Sequence, residues 1–545
     1  MTVSNDKYDF VIVGGGSAGC VLANRLSACG RYKVLLLEAG PSDNRFWVNM
    51  PIGYGITFHD PKVNWRFEGA AEEGLNGRCG YVPRGKLLGG SSGINALVYH
   101  RGQAADYDDW AAAGNPGWDY ESVRPIFESF EQIGTPDQSA QIPTGDAKLS
   151  VTDASASYHA MQPAFLDICA QVQLPNSALP VAEGAGVGPY LINTRNGQRC
   201  STAVAFLRPA MNRSNLTVVT GAEVNRVIIT DGTATEVEYQ VKGARLRTIA
   251  RREIVVSAGA VGSPHLLQLS GVGDARHLAQ LGIKPQLDQP NVGQHMQDHL
   301  GVNYIFKANR PTLNKVLGTW AGRIKAGIEY VMRRTGPLSL SVNQVGGLVK
   351  STPDAPIPDT QLYLNPLSYQ MVVKGKRALT KPDRFQGFII GFNSCRPESR
   401  GSVLAQSSDP KVQPRIHANY LSAKKDREDV VKMARLVQKM QETQALQGML
   451  ASAPLTPLAT MSDAEILADF KQRSGTVFHL CGTCRMGPDA KTAVVDPCLR
   501  VHGVAGLRVC DASIFPNVTS ANTNAPTIMV AYKAAAMMLE DADRI

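Results

Sequence analysis

No run in this chain approaches the about 18 uncharged apolar residues that a membrane-spanning helix needs. No block of five or more basic residues occurs, although 56 basic residues against 47 acidic ones leave a net charge of +9. The densest basic stretch, KGARLRTIARRE, reads as a solvated strand pair, so nucleic acid is not an expected partner. There is no second Cys-x-x-Cys to complete a zinc site with Cys481-Gly-Thr-Cys484, and the ten cysteines are too scattered for a disulfide scaffold. They read as buried thiols. Internal repeats and low-complexity linkers are also missing. The start, MTVSNDKYDFVIVGGG, is polar and its apolar run is short, unlike a signal peptide. A cytoplasmic protein, or one peripheral to the inner membrane, is the expectation.

What is present is an ordinary folded composition, with 43% hydrophobic and 19% charged residues. At 545 residues the chain exceeds one simple core, and two domains are expected. The stretch YDFVIVGGGSAGCVLANRLSACGRYKVLLLEAG says most. Phe10–Val13 reads as a short buried strand, CVLANRLSA as a helix and KVLLLEAG as a second buried strand. Between the first two stands Gly14-Gly-Gly16-Ser-Ala-Gly19. Gly14 permits the tight turn, Gly16 leaves room for a pyrophosphate, and Gly19 lets the helix approach the strand. Ser17 and Ala18 open a helix whose free N–H groups and positive end would meet the phosphates. Glu38 follows Gly19 by 19 residues and can accept hydrogen bonds from a ribose diol, with Ala39 beside it. The motif alone does not separate NAD from FAD; its place at the N-terminus favours FAD.

Further stretches carry a resemblance. PRGKLLGGSSGINALVYHRG (83–102) and GAVGSPHLLQLSGVG (259–273) closely resemble the two signatures of the glucose–methanol–choline (GMC) oxidoreductases. FHLCGTCRMG (478–487), with residues 494–535 after it, resembles that family's C-terminal catalytic segment, and RPESRGSV and VGQHMQDHL are similar to further family elements. Within the family the chain looks most like bacterial choline-dehydrogenase-type and aliphatic alcohol dehydrogenases. The resemblance implies an α/β fold. A Rossmann-like FAD-binding domain (1–155, 215–305 and 470–545) would be interleaved with an α+β substrate domain built on an antiparallel sheet (156–214 and 306–469). Residues 216–230, TEVEYQVKG and RREIVVSAGA read as strands, 426–446 as a surface helix and 351–359 as a Pro-rich loop.

The resemblance also implies FAD-dependent oxidation of a primary alcohol to an aldehyde. Such a reaction needs a base for the hydroxyl proton while hydride leaves the carbon, and a histidine suits that task. By resemblance that base is His479. Its partner is a second His or Asn about 45 residues on, the position of Asn524 here. Gly89, Gly90, Asn95, Ala96, Leu97 and Val98 would lie along the flavin and pyrophosphate. Val224 would meet the adenine side, and Asp511, Ala512, Asn522 and Thr523 would close over the pyrophosphate and ring. In some family members a His in the 83–102 loop bonds the flavin covalently. Ile94 stands there, so FAD is expected to be non-covalent.

Two patterns invite a metal or redox reading. Cys481 and Cys484 lack a redox fold or further zinc ligands. His295 and His299 have the i, i+4 spacing of a helical zinc site, but Met296 stands where a zinc protease needs Glu. Structural roles beside the flavin are expected for both pairs, and no metal. The expected substrate is a small alcohol, aliphatic or aromatic rather than choline. The expected acceptor is a quinone or another non-oxygen oxidant. An oxygen-using oxidase, and a non-redox member such as a hydroxynitrile lyase or fatty-acid photodecarboxylase, remain the alternatives.

Overall fold

The computed structural model describes residues 2–141, 147–176, 183–369 and 381–544. Its central sheet grows from the strand Thr2–Val13, longer than the sequence pattern alone indicated. Phe10 to Val13 are buried and pair in parallel with Val34–Glu38 on one side and Ala244–Val256 on the other. Leu216–Thr220 adds outside Val34–Glu38, and Leu507–Val509 outside Ala244–Val256, both in parallel. The inner strands are covered on both faces, so they are near-continuous apolar runs rather than alternating ones. The helix Ser17–Ser27 covers one face, packed against Asn524–Arg544 from the far end of the chain.

Ala244–Val256 does double duty. Its first half forms an antiparallel meander with Thr233–Val241, which pairs in turn with Ala222–Thr230; its second half enters the parallel sheet. The two hairpins turn at Asp231-Gly232 and Lys242-Gly243, all four residues with positive φ. That geometry matches the right-handed twist of the strands and favours glycine at the second position.

The second sheet has the order Gly475–Thr476, Leu300–Lys307, Gly387–Ser394, Thr360–Asn365, Val345–Val349, Gly186–Pro189, and every neighbouring pair is antiparallel. Alternation assigns its faces. Val302, Tyr304, Leu362, Leu364, Ile390 and Phe392 pack into one apolar cluster with Met433, Val437 and Met440 of the helix Lys424–Glu442. Gly301, Asn303, Gln361, Tyr363 and Asn393 therefore point to the opposite face. The helix stops at Thr443, whose hydroxyl accepts the Leu446 N–H and starts a separate turn, Gln444–Gln447. The chain visits the second sheet at Gly186–Pro189, returns to the central sheet, enters the second again at Leu300 and leaves it after Thr476. A division at 305/306 thus falls within a strand of the second sheet, and one at 469/470 within the helix Asp463–Arg473.

Candidate active site

The glycine loop meets three other loops at the carboxyl ends of the parallel strands. A Cβ on Gly14, which has φ +103°, would lie 2.5 Å from the Ser257 carbonyl oxygen, and one on Gly19 would lie 1.9 Å from the Gly14 oxygen. These two positions are closed to any side chain. Gly16 differs: its nearest neighbour would be 3.9 Å away, so protein packing does not explain the glycine. It precedes a helix that has no side-chain cap and no acid in its first turn. An open glycine before bare, positively polarised N–H groups fits the pyrophosphate of a dinucleotide such as FAD.

The expected partners converge here. Gly89 N–H donates to the Gly15 carbonyl at 2.7 Å, and Gly90 approaches Gly16 so closely that a Cβ would stand 2.7 Å from the Gly16 Cα. Glu38 Oε2 accepts the Gly15 N–H at 2.8 Å and Oε1 the Gly40 N–H at 2.7 Å. Burial pushes this carboxyl up to about 7 against the pull of those two N–H groups and Lys86. Asp511 closes the opposite side. Its Oδ2 accepts from Gly259 N–H and the Ser263 hydroxyl, and its Oδ1 from Ser513 N–H. Ala18 is buried under the loop and Ala39 is half-buried beside Glu38. The Ala512 carbonyl accepts the Gly482 N–H, joining this side to the segment that carries His479.

Asn95, Ala96, Leu97 and Val98 form one strap. Leu97 has φ +72°, held by its N–H bonding the Asn95 Oδ1. The same oxygen accepts from Arg199, a buried guanidinium that also bonds the Val48, Pro51 and Ser92 carbonyls. Ala96 receives the Ser341 hydroxyl, and Val98 pairs with Ile192. Ile94 is buried in an apolar cluster with Val48, Val63 and Leu87. Val224 lies on Ala222–Thr230, packed against the central core.

His479 follows Gly475–Thr476, the edge strand of the second sheet. Its main-chain N–H donates to Asp298 Oδ1 at 2.7 Å, and the other Asp298 oxygen accepts from the Thr476 and Tyr420 hydroxyls. Arg84 bonds the adjacent Phe478 carbonyl at 2.6 Å. The ring is held from both ends. Nδ1 lies 2.9 Å from His299 Nδ1, and Nε2 lies 3.1 Å from Asn522 Nδ2. His299 Nε2 is 3.1 Å from the Cys395 carbonyl, which can only accept. A neutral His299 must then carry its proton on Nε2 and accept at Nδ1. His479 must donate from Nδ1, which leaves its Nε2 lone pair facing Asn522. Burial, then His299 and Arg84, hold His479 well below its usual 6.5, and burial lowers His299 to about 4. Both rings are neutral at pH 7.

The asparagine beside His479 is therefore Asn522, not Asn524. Asn524 opens the helix Asn524–Arg544, and its Oδ1 accepts the Ser17 hydroxyl at 2.9 Å, tying that helix to the glycine loop. The Thr523 carbonyl accepts the Thr527 N–H in the same first turn. His299, 180 residues before His479, emerges as the ring's other partner. The HMQDH stretch is not helical: His295 has φ +61° and bonds Asn291, so the two histidines do not share a face. Among the described residues no cluster of three or more His, Cys, Asp and Glu could hold a metal. Cys481 and Cys484 are buried free thiols with pKa values raised by burial, packed in the main core.

Comparison with known proteins identifies the family. Family models described as GMC oxidoreductase match residues 8–301 and 397–531. The chain is 37% identical to an alcohol dehydrogenase [acceptor] of Pseudomonas putida, over 98% of this chain and 96% of that protein. It is 36% identical to an oxygen-dependent choline dehydrogenase of Vibrio vulnificus, over 98% and 94%. The solved structure of a pyridoxine 4-oxidase from Mesorbium loti aligns with a TM-score of 0.85 at 28% identity, covering 97% of this chain and 98% of that one. Family models that together match more than half of the chain, and relatives above a third identity over nearly its whole length, make this chain a member of the GMC oxidoreductase family.

Proposed function

We propose that this FAD-dependent oxidoreductase oxidises a primary alcohol to an aldehyde with His479 Nε2 as the base. The tautomer chain from Cys395 through His299 carries this reading, because it leaves a basic nitrogen at Nε2 and nowhere else on the ring. Bound FAD supplies the acceptor for the hydride that leaves the alcohol carbon.

The chain's own groups prepare the alcohol. His479 Nε2 accepts the hydroxyl proton, and Nδ1–H stays on the His299 lone pair. Asn522 Nδ2 donates to the oxygen as negative charge gathers there, without competing for the proton. The low pKa keeps Nε2 free at neutral pH, and the pull on the alcohol proton comes from position rather than from basicity. Asp298 fixes the main chain at His479, so the ring's place does not depend on the substrate.

An uncharged alcohol is favoured over choline. Arg84 is the charged side chain that bears on His479, while the nearby Asp298 carboxylate is already satisfied by three donors. The Asp298 carboxylate offsets Arg84, so the preference for an uncharged alcohol rests on the aromatic side chains Phe58 and Phe478 that pack together beside His479. Transfer of electrons to a quinone or another non-oxygen acceptor is supported by likeness to the P. putida protein named for an acceptor. The Vibrio relative, named as oxygen-dependent, supports the oxidase alternative.

The test is anaerobic bleaching of the bound flavin by a panel of choline, medium-chain and benzylic alcohols, followed by aerobic assay for peroxide. Bleaching by an uncharged class is the expected result. Peroxide at the turnover rate would assign oxygen as acceptor. No bleaching by any alcohol would set the reading aside.

A further inference from the structure

The helix Trp320–Arg333 is amphipathic the wrong way round for a globular protein. Trp320 is 81% exposed, Met332 76% and Ile328 61%, with Val331 and Ile324 about half exposed. At about 100° per residue, Trp320, Val331, Ile324 and Ile328 fall within about 80° of one another, and Met332 borders them. Ala326 and Tyr330, the buried residues, lie on the other side. An apolar stripe facing away from the core needs a partner.

The charges around the stripe say which one. Arg323 flanks it on one side and Lys325 on the other. From Lys315 to Arg334 the chain carries Lys315, Arg323, Lys325, Arg333 and Arg334 against the single acid Glu329. Two copies meeting through this face would bring like charges together. An anionic lipid surface would pair with the basic rim while Trp320 and the aliphatic side chains enter the headgroup boundary. The helix has 14 residues, about 21 Å at 1.5 Å per residue, too short to span a bilayer but suited to lie in its plane. On the buried side of the helix Phe46 meets Tyr330, ring centroids 6.4 Å apart.

We infer that this helix is a docking surface for an anionic bilayer. It also stands at the outer end of an apolar series that leads to the active site. The preceding helix, Leu313–Leu317, clusters with Tyr54 and Phe58, and Phe58 meets Phe478, the neighbour of His479, at 5.4 Å. A lipid-dissolved alcohol leaving the bilayer here would meet apolar side chains up to the base. The docking surface itself does not depend on the reaction proposed above.

The test is flotation of the FAD-loaded full chain with phosphatidylcholine vesicles, with and without about 30% phosphatidylglycerol. Wild type should float with the anionic vesicles, and at least tenfold less without the anionic lipid or in about 0.5 M salt. Trp320→Ser/Ile328→Ser and Arg323→Glu/Lys325→Glu should each lower flotation at least tenfold, with flavin content and alcohol-driven bleaching unchanged. Failure of wild type to float, or flotation of either variant equal to that of wild type, overturns the inference. So does a lipid-free, concentration-dependent dimer that Trp320→Ser/Ile328→Ser dissolves, which would give the face to a second copy.

Discussion

His299 Nδ1 lies 2.9 Å from His479 Nδ1, and the Cys395 carbonyl on the far side of His299 decides which ring donates. Two neutral imidazoles can share that contact in two ways. Only the one with His479 protonated at Nδ1 also satisfies the carbonyl. His299 is thus a positioning residue, acting on the alcohol through His479.

Replacement of His299 by Ala should therefore slow flavin reduction more than it weakens substrate binding. A loss of about tenfold to a hundredfold in the limiting rate, with KM little changed, is expected from the loss of a buried hydrogen-bond acceptor worth about 1–3 kcal/mol. His299→Asn places an amide oxygen at the δ position and should recover part of the rate. Stopped-flow reduction of the three proteins checks this; equal rates in the Ala and Asn variants would mean that His299 only fills space.

Asn522 and Asn524 should separate cleanly. Asn522→Ala removes the donor beside Nε2 and should lower the reduction rate by about 10²-fold, the scale of one oxyanion donor. Asn524→Ala breaks the bond to Ser17 and should instead lower thermal stability by about 1 kcal/mol, with reduction nearly unchanged. Rapid kinetics and a melting curve on each variant distinguish them.

Legibility differed between these parts for physical reasons. The strand, glycine turn, helix and Glu38 lie within one continuous stretch, so local patterning exposes the dinucleotide cradle. His479 is marked by the motif around it. Its asparagine is not, since Asn522 and Asn524 are the same residue type two positions apart, and only the start of the helix at Asn524 turns one to His479 and the other to Ser17. The His299 contact spans 180 residues and joins a strand end to a loop. Spacing from His295 suggested a helix instead, and nothing local reports the left-handed turn at His295 that prevents one. The outward apolar helix Trp320–Arg333 has the period of any core helix, and its orientation appears only when Ala326 and Tyr330 are seen to be its buried side.

The glycines give a second pair of opposite outcomes. Gly16→Ala has room in the protein and a negative φ, so the chain should fold with near-normal stability yet lose about 1–3 kcal/mol of FAD affinity through overlap with the cofactor. Gly90→Ala combines φ +51° with a Cβ 2.7 Å from the Gly16 Cα, and should lower stability itself. Flavin titration and thermal melting of the apoproteins read the two effects.

The pH profile follows from the direction of the His479 shift. A base works in its neutral form, and this one stays neutral to below its usual 6.5. The limiting rate of reduction should hold a plateau from pH 8 down to about pH 6 and fall only at lower pH. An acid limb centred at or above 6.5 would show that His479 is not shielded as the structure has it.

The central claim is that His479 Nε2 takes the alcohol proton. The most direct measurement is anaerobic flavin reduction by an alcohol that bleaches the wild type, compared with His479→Ala at equal flavin content. A fall of about 10²–10⁴-fold in the limiting rate, with FAD still bound, is the expected result. A variant that reduces its flavin within a few fold of wild type would contradict it and move the base elsewhere in the site.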